Sequence, residues 1–519
     1  MKKYIKDIIK NDYKEWNKGD NILIFAGTGR GKTTFVKETL KEYCKKNNKK
    51  ILYLCNRTNL KEQVKADLNK TNDKDNTITV VNYQKLESNI LKNLSINNYD
   101  YVICDEAHYF FTDANFNRTT DLSFEWLVNN NDTVKIFMSA TAWTLKNYFN
   151  YNNLKFKNTY ELEKDYSYIK NTYCFKNDET LEDIIEQIPK DEKIIFFSSN
   201  TEKALEISKK FNGAFICSYS NKKYSKYIDE EELENISKNE KFDKHILCTT
   251  IALDNGINIK DKEVKHIILD IIDRDSFLQC LGRKRIQGKD DKITLYFRNI
   301  NPNKLKGIKT KIKNTLDRAN YLIENGQVAF VKKAYKNDNF TDLRIIDDVI
   351  VDGATVKTVN KCMYAKFETD LKLYNLLTKD FKDKKAKAVF SGEKQMFKSV
   401  IASQLNIKKE DILDIEIYKE TLKIEEVLED MFNNKTVMLQ AKDREELIEF
   451  IGLIDKNHSN IKKGKIKYIK NIKTLNSYLQ DVLKLKYFIK QFETCRRKDG
   501  KKKVYKSAWK ILKIIDNIQ

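Results

Sequence analysis

The chain has 519 residues, of which 41% are hydrophobic and 33% charged, and its formal net charge is +22. This length predicts about three domains, and the apolar fraction excludes a wholly disordered chain. No run approaches the ~18 apolar residues that a membrane span needs. Lys6, Asp7 and Lys10 interrupt any apolar signal core near the N-terminus. We therefore expect a soluble protein with no membrane partner, which stays in the compartment where it is made.

The nine cysteines are scattered singly along the chain, and no two form a C-x-x-C pair. The four histidines do not cluster near them. This spacing argues against both a zinc module and a disulfide framework. A reducing cytoplasm is the setting that this cysteine usage predicts.

Positive charge is concentrated towards the C-terminus. Residues 1–150 carry 24 Lys/Arg against 18 Asp/Glu, residues 151–300 carry 26 against 27, and residues 301–519 carry 47 against 30. The last 59 residues alone carry 18 against 4. A basic region appended to a near-neutral body predicts a polyanionic partner, most often nucleic acid. The alternative is a lysine-rich surface that only keeps the protein soluble.

The first 300 residues alternate short apolar runs with amphipathic helical patterns, which is typical of parallel α/β sheets. The first series of predicted strands comprises Asn21–Phe25, Ile51–Cys55, Thr77–Val81, Tyr101–Cys104 and Lys135–Met138. The second series comprises Thr172–Phe175, Lys193–Phe197, Ala214–Cys217, His245–Cys248 and His266–Asp270. Two series of this length predict two tandem parallel-sheet domains, over residues 1–160 and 161–300.

After residue 300 the pattern becomes mainly helical. Long helices are predicted over Lys304–Asn325 and Val359–Leu377, so that residues 301–385 form a helical connector and residues 386–519 a basic C-terminal domain. Within residues 461–519, a helix over Thr474–Leu485 precedes two strands joined by an Asp-Gly turn signal. This order has the layout of a winged helix. The alternative is an ordinary small domain whose basic turn is merely solvated.

Residues 26–33 read AGTGRGKT, directly after a predicted strand and before a predicted helix, which is the context of a phosphate loop. Glycines there let backbone N–H groups turn towards phosphate oxygens, and the helix N-terminus adds its dipole. Lys32 is placed to reach the β- and γ-phosphates of ATP, and Thr33 to bind Mg²⁺. The predicted nucleotide contacts are Ala26, Gly27, Thr28, Gly29, Arg30, Gly31, Lys32, Thr33 and Thr34.

Residues 105–108 read Asp-Glu-Ala-His at the end of a predicted strand. A strand-terminal pair of carboxylates is what hydrolysis of Mg·ATP requires. Asp105 is predicted to bind the nucleotide-associated Mg²⁺, and Glu106 to polarise the attacking water.

Three further motifs follow in chain order. They are SAT at Ser139–Thr141, CTTIALDNGINI from Cys248, and QCLGRKR from Gln279. Weaker matches are CNRTNLKEQ from Cys55 and VNYQ from Val81. Together with the phosphate loop and the DEAH box, this ordered set resembles a superfamily 2 helicase over about residues 20–290.

The resemblance implies two RecA-like lobes, with ATP and Mg²⁺ on the first and the second closing over them. Arg283 and Arg285 would then stabilise charge on the transferred phosphoryl group. Further nucleotide contacts would come from Gly256 and Gln279. The residues that couple hydrolysis to movement would be His108, Ser139, Ala140 and Thr141. The nucleic-acid backbone would be contacted by Arg57, Thr58, Gln84, Thr249 and Thr250.

The sequence departs from the family pattern at two places. The last motif reads Gly282-Arg283-Lys284-Arg285-Ile286 where the family has G-R-x-x-R or G-R-x-G-R. The second arginine is therefore either Arg285 in a shifted register or absent. No glutamine precedes Gln63, so the adenine-reading Q motif of DEAD-box RNA helicases is not present.

The DNGIN and LGRKR variants resemble helicases of phages and mobile elements and the herpesvirus origin-binding-protein group. We therefore predict an ATP-dependent DNA helicase or translocase that serves replication in the (host) cytoplasm, with replication proteins as further partners. Two alternatives stay open: a duplex translocase that does not separate strands, and an origin-binding initiator in which ATP switches DNA affinity. In the C-terminal domain, the predicted nucleic-acid contacts are Arg496, Arg497, Lys501, Lys502 and Lys503.

Overall fold

The structure is a computed structural model that describes residues 3–27, 29–56, 76–96, 98–115, 117–251, 258–300, 302–334, 345–378, 396–455, 466–498 and 501–514. The chain divides into two compact units, Met1–Ile412 and Leu413–Gln519. Of the helices in the described ranges, none has the length and apolar character that crossing a membrane requires.

The first lobe of unit 1 is a six-stranded sheet in which all strands pair in parallel. Its strands are Asn21–Ala26 (β1), Ile51–Cys55 (β2), Ile78–Asn82 (β3), Tyr101–Asp105 (β4), Val134–Ser139 (β5) and Asn158–Leu162 (β6). The order across the sheet is β3-β2-β4-β5-β1-β6. Strands β2, β4 and β5 are buried along their whole length, which explains their continuous apolar sequences.

Helices cover both faces of this sheet. They are Ile5–Ile9 (α1), residues 32–46 (α2, with a π-helical middle over Phe35–Leu40), Tyr83–Leu91 (α3), Tyr109–Thr112 (α4), Thr120–Asn129 (α5) and Trp143–Tyr151 (α6). Because parallel strands end at one edge of the sheet, the loops after β1, β4 and β5 meet there.

The second lobe is a parallel sheet of the same kind. Its strands are Ile169–Phe175 (β7), Lys193–Ser198 (β8), Ala214–Ile216 (β9), Ile246–Thr250 (β10), Val264–Asp270 (β11) and Ile293–Arg298 (β12). Its helices are Asp178–Gln187 (α7), Thr201–Lys210 (α8), Glu230–Asn239 (α9) and Arg274–Leu281 (α10). The order is β7-β12-β11-β8-β10-β9, and a short seventh strand lies beside β7 where unit 1 ends.

The rest of unit 1 is largely helical and also contains a β-hairpin, which the sequence pattern did not indicate. The elements are Pro302–Ala334 (α11, interrupted at Gly326), the hairpin strands Ile346–Val351 (β13) and Ala354–Val359 (β14), then Lys361–Thr378 (α12) and Met396–Leu405 (α13). The short edge strand Ile412–Asp414 (β15) begins at the last residue of unit 1.

Unit 2 packs helices on one face of a three-stranded antiparallel sheet. Its elements are Ile415–Asn433 (α14), Val437–Met438 (β16), Ala441–Ile451 (α15), Ile472–Ser477 (α16, continued by a π-helical turn to Val482), Tyr487–Lys498 (β17) and Lys501–Lys513 (β18). Strand β18 lies between β16 and β17. The core includes Tyr487, Ile489, Trp509 and Ile511 from the long hairpin.

The prediction of two tandem RecA-like, parallel-sheet α/β domains followed by a mainly helical C-terminal region is confirmed. All ten strands predicted in the first 300 residues are present within a few residues of their predicted bounds. The pattern analysis missed β6, which is an edge strand of the first sheet, and β12, which lies between β7 and β11 in the second. The winged-helix interpretation of residues 461–519 stays a prediction.

Candidate active site

The phosphate loop connects β1 to α2 and has the backbone conformation that its glycines permit. Gly29 and Gly31 have φ values of +71° and +78°, in the left-handed region that favours glycine. The side chain of Arg30 donates from Nη2 to the carbonyl oxygen of Glu163 at 3.1 Å, which holds the loop against the segment after β6. Such a turn at the N-terminus of a helix is a form of backbone that binds phosphate groups.

Lys32 lies at the start of α2 and is largely buried. Its Nζ donates to the carbonyl oxygens of Ala26 at 2.8 Å and Gly27 at 3.3 Å. The ammonium group is thus held at the mouth of the loop. Thr34, two residues further along, is exposed, and Thr28 lies outside the described residues.

Asp105 ends β4 and is joined to the phosphate loop through a tyrosine that sequence analysis missed. The hydroxyl of Tyr53, on β2, donates to Asp105 Oδ2 at 2.5 Å. Burial and Asp105 raise the pKa of Tyr53, and Thr33 is close enough to lower it. The two predicted magnesium ligands therefore both lie beside one buried hydroxyl group. Burial and the neighbouring Glu106 raise the pKa of Asp105 to about 6, against the lowering effect of Tyr53 and Lys32.

Glu106 follows with a φ of +50°, which is rare for a residue that has a Cβ and is a mark of functional sites. Burial alone would raise the pKa of its carboxyl group. The positive charges of Lys32, His108, Arg283 and Arg285 outweigh burial and lower that pKa. The carboxylate is therefore ionised at neutral pH, as a group that polarises water must be.

A chain of polar contacts runs from Glu106 to the second lobe. His108 Nδ1 lies 3.4 Å from Glu106 Oε2 and 3.1 Å from Ser139 Oγ. Ser139 Oγ donates to the carbonyl oxygen of Thr141 at 2.7 Å, and Thr141 Oγ1 accepts from Gln279 Nε2 at 3.4 Å. The predicted coupling residues, with Ala140 buried between them, therefore connect the candidate catalytic carboxylate to helix α10. Gln279, predicted as a nucleotide contact, is part of this chain.

Both arginines of the last motif act on Glu106, and the backbone explains how. Ile259 and Lys284 form a parallel β-bridge, in which Ile259 N donates to Arg283 O and Arg285 N donates to Ile259 O. In an extended segment, alternate side chains lie on the same side. Lys284 is fully buried and pairs with Asp291 at 2.7 Å, so Arg283 and Arg285 lie on the opposite side.

Arg285 is held in place by its Nε, which donates to Asn258 Oδ1 at 2.7 Å. Burial and the like charge of Arg283 lower the pKa of Arg285 to about 10. At this pKa the guanidinium group of Arg285 is protonated at neutral pH. This geometry is compatible with the shifted-register interpretation of the motif, which stays a prediction.

Lys164 is a further cation near the phosphate loop that the motifs did not include. A Cβ on Gly27 would lie 3.6 Å from Lys164 Cγ. Burial, together with the charges of Lys32 and Arg274, lowers the pKa of Lys164 to about 8, while Asp275 opposes this. Lys164 thus stands between the phosphate loop and the start of α10 in the second lobe.

Helix α12 contacts both lobes next to this site. Asn147 Nδ2, on α6 of the first lobe, donates to Thr369 Oγ1 at 3.1 Å. Lys366 Nζ donates to Asp273 Oδ2 at 3.1 Å and to Asp370 Oδ1 at 2.6 Å. Asp273 is the N-cap of α10 and accepts from Ser276 N at 2.8 Å. Lys366 therefore holds the helix that carries Gln279 and leads to the arginine pair.

We expect Lys366→Met to destabilise the protein by about 1–3 kcal/mol, because it leaves two half-buried carboxylates without the buried cation that pairs with them. Lys361→Met is the matched control on the same helix, since Lys361 pairs with Glu125 at the surface and such a pair contributes about 0–1 kcal/mol. Urea denaturation of the full chain measures both. Equal denaturation midpoints for the two variants would contradict a structural role for Lys366.

The predicted nucleic-acid contacts of the two lobes are less well supported. Gln84 is exposed, and its Nε2 donates to Asn56 O at 3.2 Å. Thr249 is fully buried and its hydroxyl donates to the carbonyl oxygen of Thr250. Thr250 is also buried. The contacts of both threonines with nucleic acid stay a prediction. Arg57, Thr58 and Gly256 lie outside the described residues.

The residue set fits a magnesium–nucleotide group. A glycine turn at a helix N-terminus, the Lys32 ammonium, and a hydroxyl and a carboxylate that lie beside Tyr53 are the donors such a group needs. In the part of the chain that the structure describes, no cluster of three or more His, Cys, Asp or Glu side chains could hold a metal. Mg²⁺ at a nucleotide takes few protein ligands beside phosphate oxygens. Thr33 and Asp105 would hold it, and the bound nucleotide would supply the phosphoryl group.

Residues 6–148 match the family model described as DEAD/DEAH box helicase. The match includes the phosphate loop, Asp105 and Glu106, so the first lobe is similar to a DEAD/DEAH box helicase domain, and the chain is an enzyme of the ATPase and helicase type. No curated protein matches the chain.

Among solved structures, S. cerevisiae Dbp5 bound to RNA and ADP BeF3 is similar at a TM-score of 0.40 and 15% identity, covering 54% of this chain and 78% of that chain. A single-residue variant of Dbp5 with the same ligands gives a TM-score of 0.40 and 16% identity over the same shares.

Proposed function

We propose that this chain is an ATP-dependent motor that moves along nucleic acid, and that its substrate is DNA. The observation that carries the motor assignment is that Arg283 and Arg285, from the second lobe, both lower the pKa of Glu106 in the first lobe. Because positive charge of one lobe acts on the hydrolytic carboxylate of the other, the rate of ATP turnover depends on the distance between the lobes. Cycles of ATP binding and release would then open and close the cleft.

The residues divide the work of hydrolysis. Lys32 and the loop glycines would bind and orient the phosphates, Asp105 and Thr33 would hold Mg²⁺, and Glu106 would take up the proton of the attacking water. The two arginines stabilise charge that develops on the transferred phosphoryl group. The contact chain through His108, Ser139 and Thr141 relays the state of this site to α10.

The assignment to DNA has separate support. Residues 301–519 carry 47 Lys/Arg against 30 Asp/Glu, which favours a polyanion. The missing Q motif disfavours a DEAD-box RNA remodeller. The DNGIN and LGRKR variants support the further proposal that the motor serves replication of a phage or mobile element.

Unwinding and DNA-stimulated ATP hydrolysis, measured side by side, test the proposal. The wild-type chain and Glu106→Gln are compared on a labelled forked DNA duplex, a blunt duplex and a forked RNA duplex of the same sequence. We expect DNA to stimulate ATP turnover and forks to separate with the wild-type chain only.

Each other outcome corrects a stated part of the proposal. Turnover that duplex DNA stimulates without fork separation indicates a duplex translocase. ATP-dependent DNA affinity without stimulated turnover indicates an origin-binding initiator. Stronger stimulation by RNA would contradict the DNA assignment and leave the motor in place.

A further inference from the structure

We propose that the hairpin β17–β18 of unit 2 binds duplex DNA along one of its two faces. The proposal deepens the proposed function, because it names the partner of unit 2 and the face that contacts it. The face is formed by Lys490, Phe492, Arg496, Lys503, Tyr505 and Lys510, and we call it the ribbon face. Of the nucleic-acid contacts that the sequence predicted in this region, Arg496 and Lys503 lie on the ribbon face.

The charge of the hairpin is the first observation. Towards its tip, two successive cross-strand pairs each join two cations, namely Arg496 with Lys503 and Arg497 with Lys502. Like charges directly opposite each other destabilise a sheet. Within the described residues, no acidic side chain pairs with the exposed Arg496, Arg497, Lys502 or Lys503. A bound polyanion would remove this repulsion.

The register of the strands defines the two faces. Phe492 is opposite Ala508 and Thr494 is opposite Tyr505, so β18 has one extra residue there, a β-bulge, and β17 is regular. Alternation along β17 therefore places Lys490, Phe492 and Arg496 on one face. The opposite face carries Tyr487 and Ile489 and is buried in the core of unit 2.

The partners across the ladder complete the ribbon face. Lys510 is opposite Lys490, and Lys503 is opposite Arg496. Arg497 and Lys502 form the next pair towards the tip and lie on the other face. The ribbon face is thus the outward side of the sheet, away from the helices of unit 2, with a cationic pair at each end.

The aromatic rings on this face favour duplex DNA over a single strand. Lys510 Nζ lies 5.0 Å from the ring centroid of Phe492, and Lys503 Nζ lies 5.3 Å from that of Tyr505. Proteins that bind single strands use open ring faces on which bases stack. Here ammonium groups cover the rings, so the face offers positive charge to phosphates and no stacking platform.

The dimensions agree with a groove. From Lys490 to Arg496 the strand extends about 20 Å, and the major groove of B-DNA, about 12 Å wide, accepts a two-stranded ribbon. The cationic pairs at the two ends of the ribbon face can therefore reach phosphates on both sides of one groove.

The two tip pairs provide a matched test in the full chain. Arg496→Gln/Lys503→Gln removes one arginine and one lysine from the ribbon face, and Arg497→Gln/Lys502→Gln removes the same charge one step away on the other face. Affinity for a blunt DNA duplex is measured without ATP over a salt series, with a single strand of the same sequence in parallel. Because no nucleotide is present, failure here is distinguishable from failure of the motor assignment, which ATP turnover reports.

We expect Arg496→Gln/Lys503→Gln to reduce the slope of log K against log[salt] by about 2 on duplex DNA, since each lost phosphate contact contributes about 0.9. Lys490→Gln/Lys510→Gln should do the same, and Arg497→Gln/Lys502→Gln should leave the slope unchanged. Equal losses for the two tip pairs would overturn the face assignment. A loss confined to the single strand would overturn the duplex assignment, and no loss in any variant would overturn the proposal as a whole.

Discussion

Glu106→Gln should lower the kcat for ATP by about 10²–10⁴-fold, the contribution typical of a positioned general base. The amide cannot accept a proton from water, and the charges that hold the Glu106 carboxylate ionised, including Lys32 and Arg283, then have no partner to act on. Nucleotide binding should persist, because the phosphate loop and Asp105 are unchanged. Steady-state turnover and equilibrium binding of a fluorescent ATP analogue measure the two quantities separately.

Lys32→Ala should affect both quantities. Its ammonium group lies at the mouth of the loop, 2.8 Å from Ala26 O, so its loss removes charge from bound phosphates in the ground state and in the transition state. Lys46→Ala, exposed at the far end of the same helix, and Glu42→Gln, also exposed there, are the matched controls. Near-normal turnover in Glu106→Gln or Lys32→Ala would contradict the hydrolytic site.

The features that sequence analysis could predict are local ones. A phosphate loop is eight contiguous residues between a strand and a helix. The DEAH box begins at the last residue of β4, a strand that is buried along its whole length. The strands of the first sheet are continuous apolar runs because both faces are covered. The sequence of β12 also contains a pattern that predicts a strand, since Ile293, Leu295 and Phe297 are buried and alternate with half-buried residues.

The features that could not be predicted are contacts between residues that are far apart in the sequence. Tyr53 reads as one more apolar strand residue, and only the fold brings its hydroxyl to Asp105, 52 positions away. Lys366 and Asp273 are 93 positions apart, and neither lies in a motif. Lys164 follows the edge strand β6 and lies in a polar stretch that has neither hydrophobic periodicity nor a motif. Contacts of this kind depend on tertiary packing, which the local sequence does not encode.

The arginine pair is an intermediate case. The sequence Gly-Arg-Lys-Arg-Ile leaves two interpretations open, with Arg285 as the second arginine or with no second arginine. An extended segment whose middle residue is buried is compatible with the interpretation in which Arg285 is the second arginine. Because Lys284 is buried with Asp291, the side chains on either side must both face away from it. A buried lysine cannot be recognised from its letter, since lysine is almost always exposed.

Arg283→Ala and Arg285→Ala should therefore each lower the kcat for ATP by about 10²–10³-fold, as expected when one donor to the transition state is lost. The KM for ATP should change little, because both arginines belong to the second lobe and the nucleotide is bound by the first. The double variant should lose less than the product of the two single losses, since the residues act as one group. Lys289→Ala, an exposed cation on the same segment, is the control for loss of charge alone.

The two arginines can also be told apart. Arg285 is anchored by Asn258 Oδ1 at 2.7 Å, so Asn258→Ala should reproduce part of the Arg285→Ala loss and should add little to it when the two are combined. Asn258→Ala should leave Arg283 in place and retain the response of turnover to DNA. Full DNA-stimulated turnover in Arg283→Ala would show that the second lobe does not complete this site. Full turnover in Arg285→Ala with a loss in Arg283→Ala would restore the interpretation in which the motif has a single functional arginine.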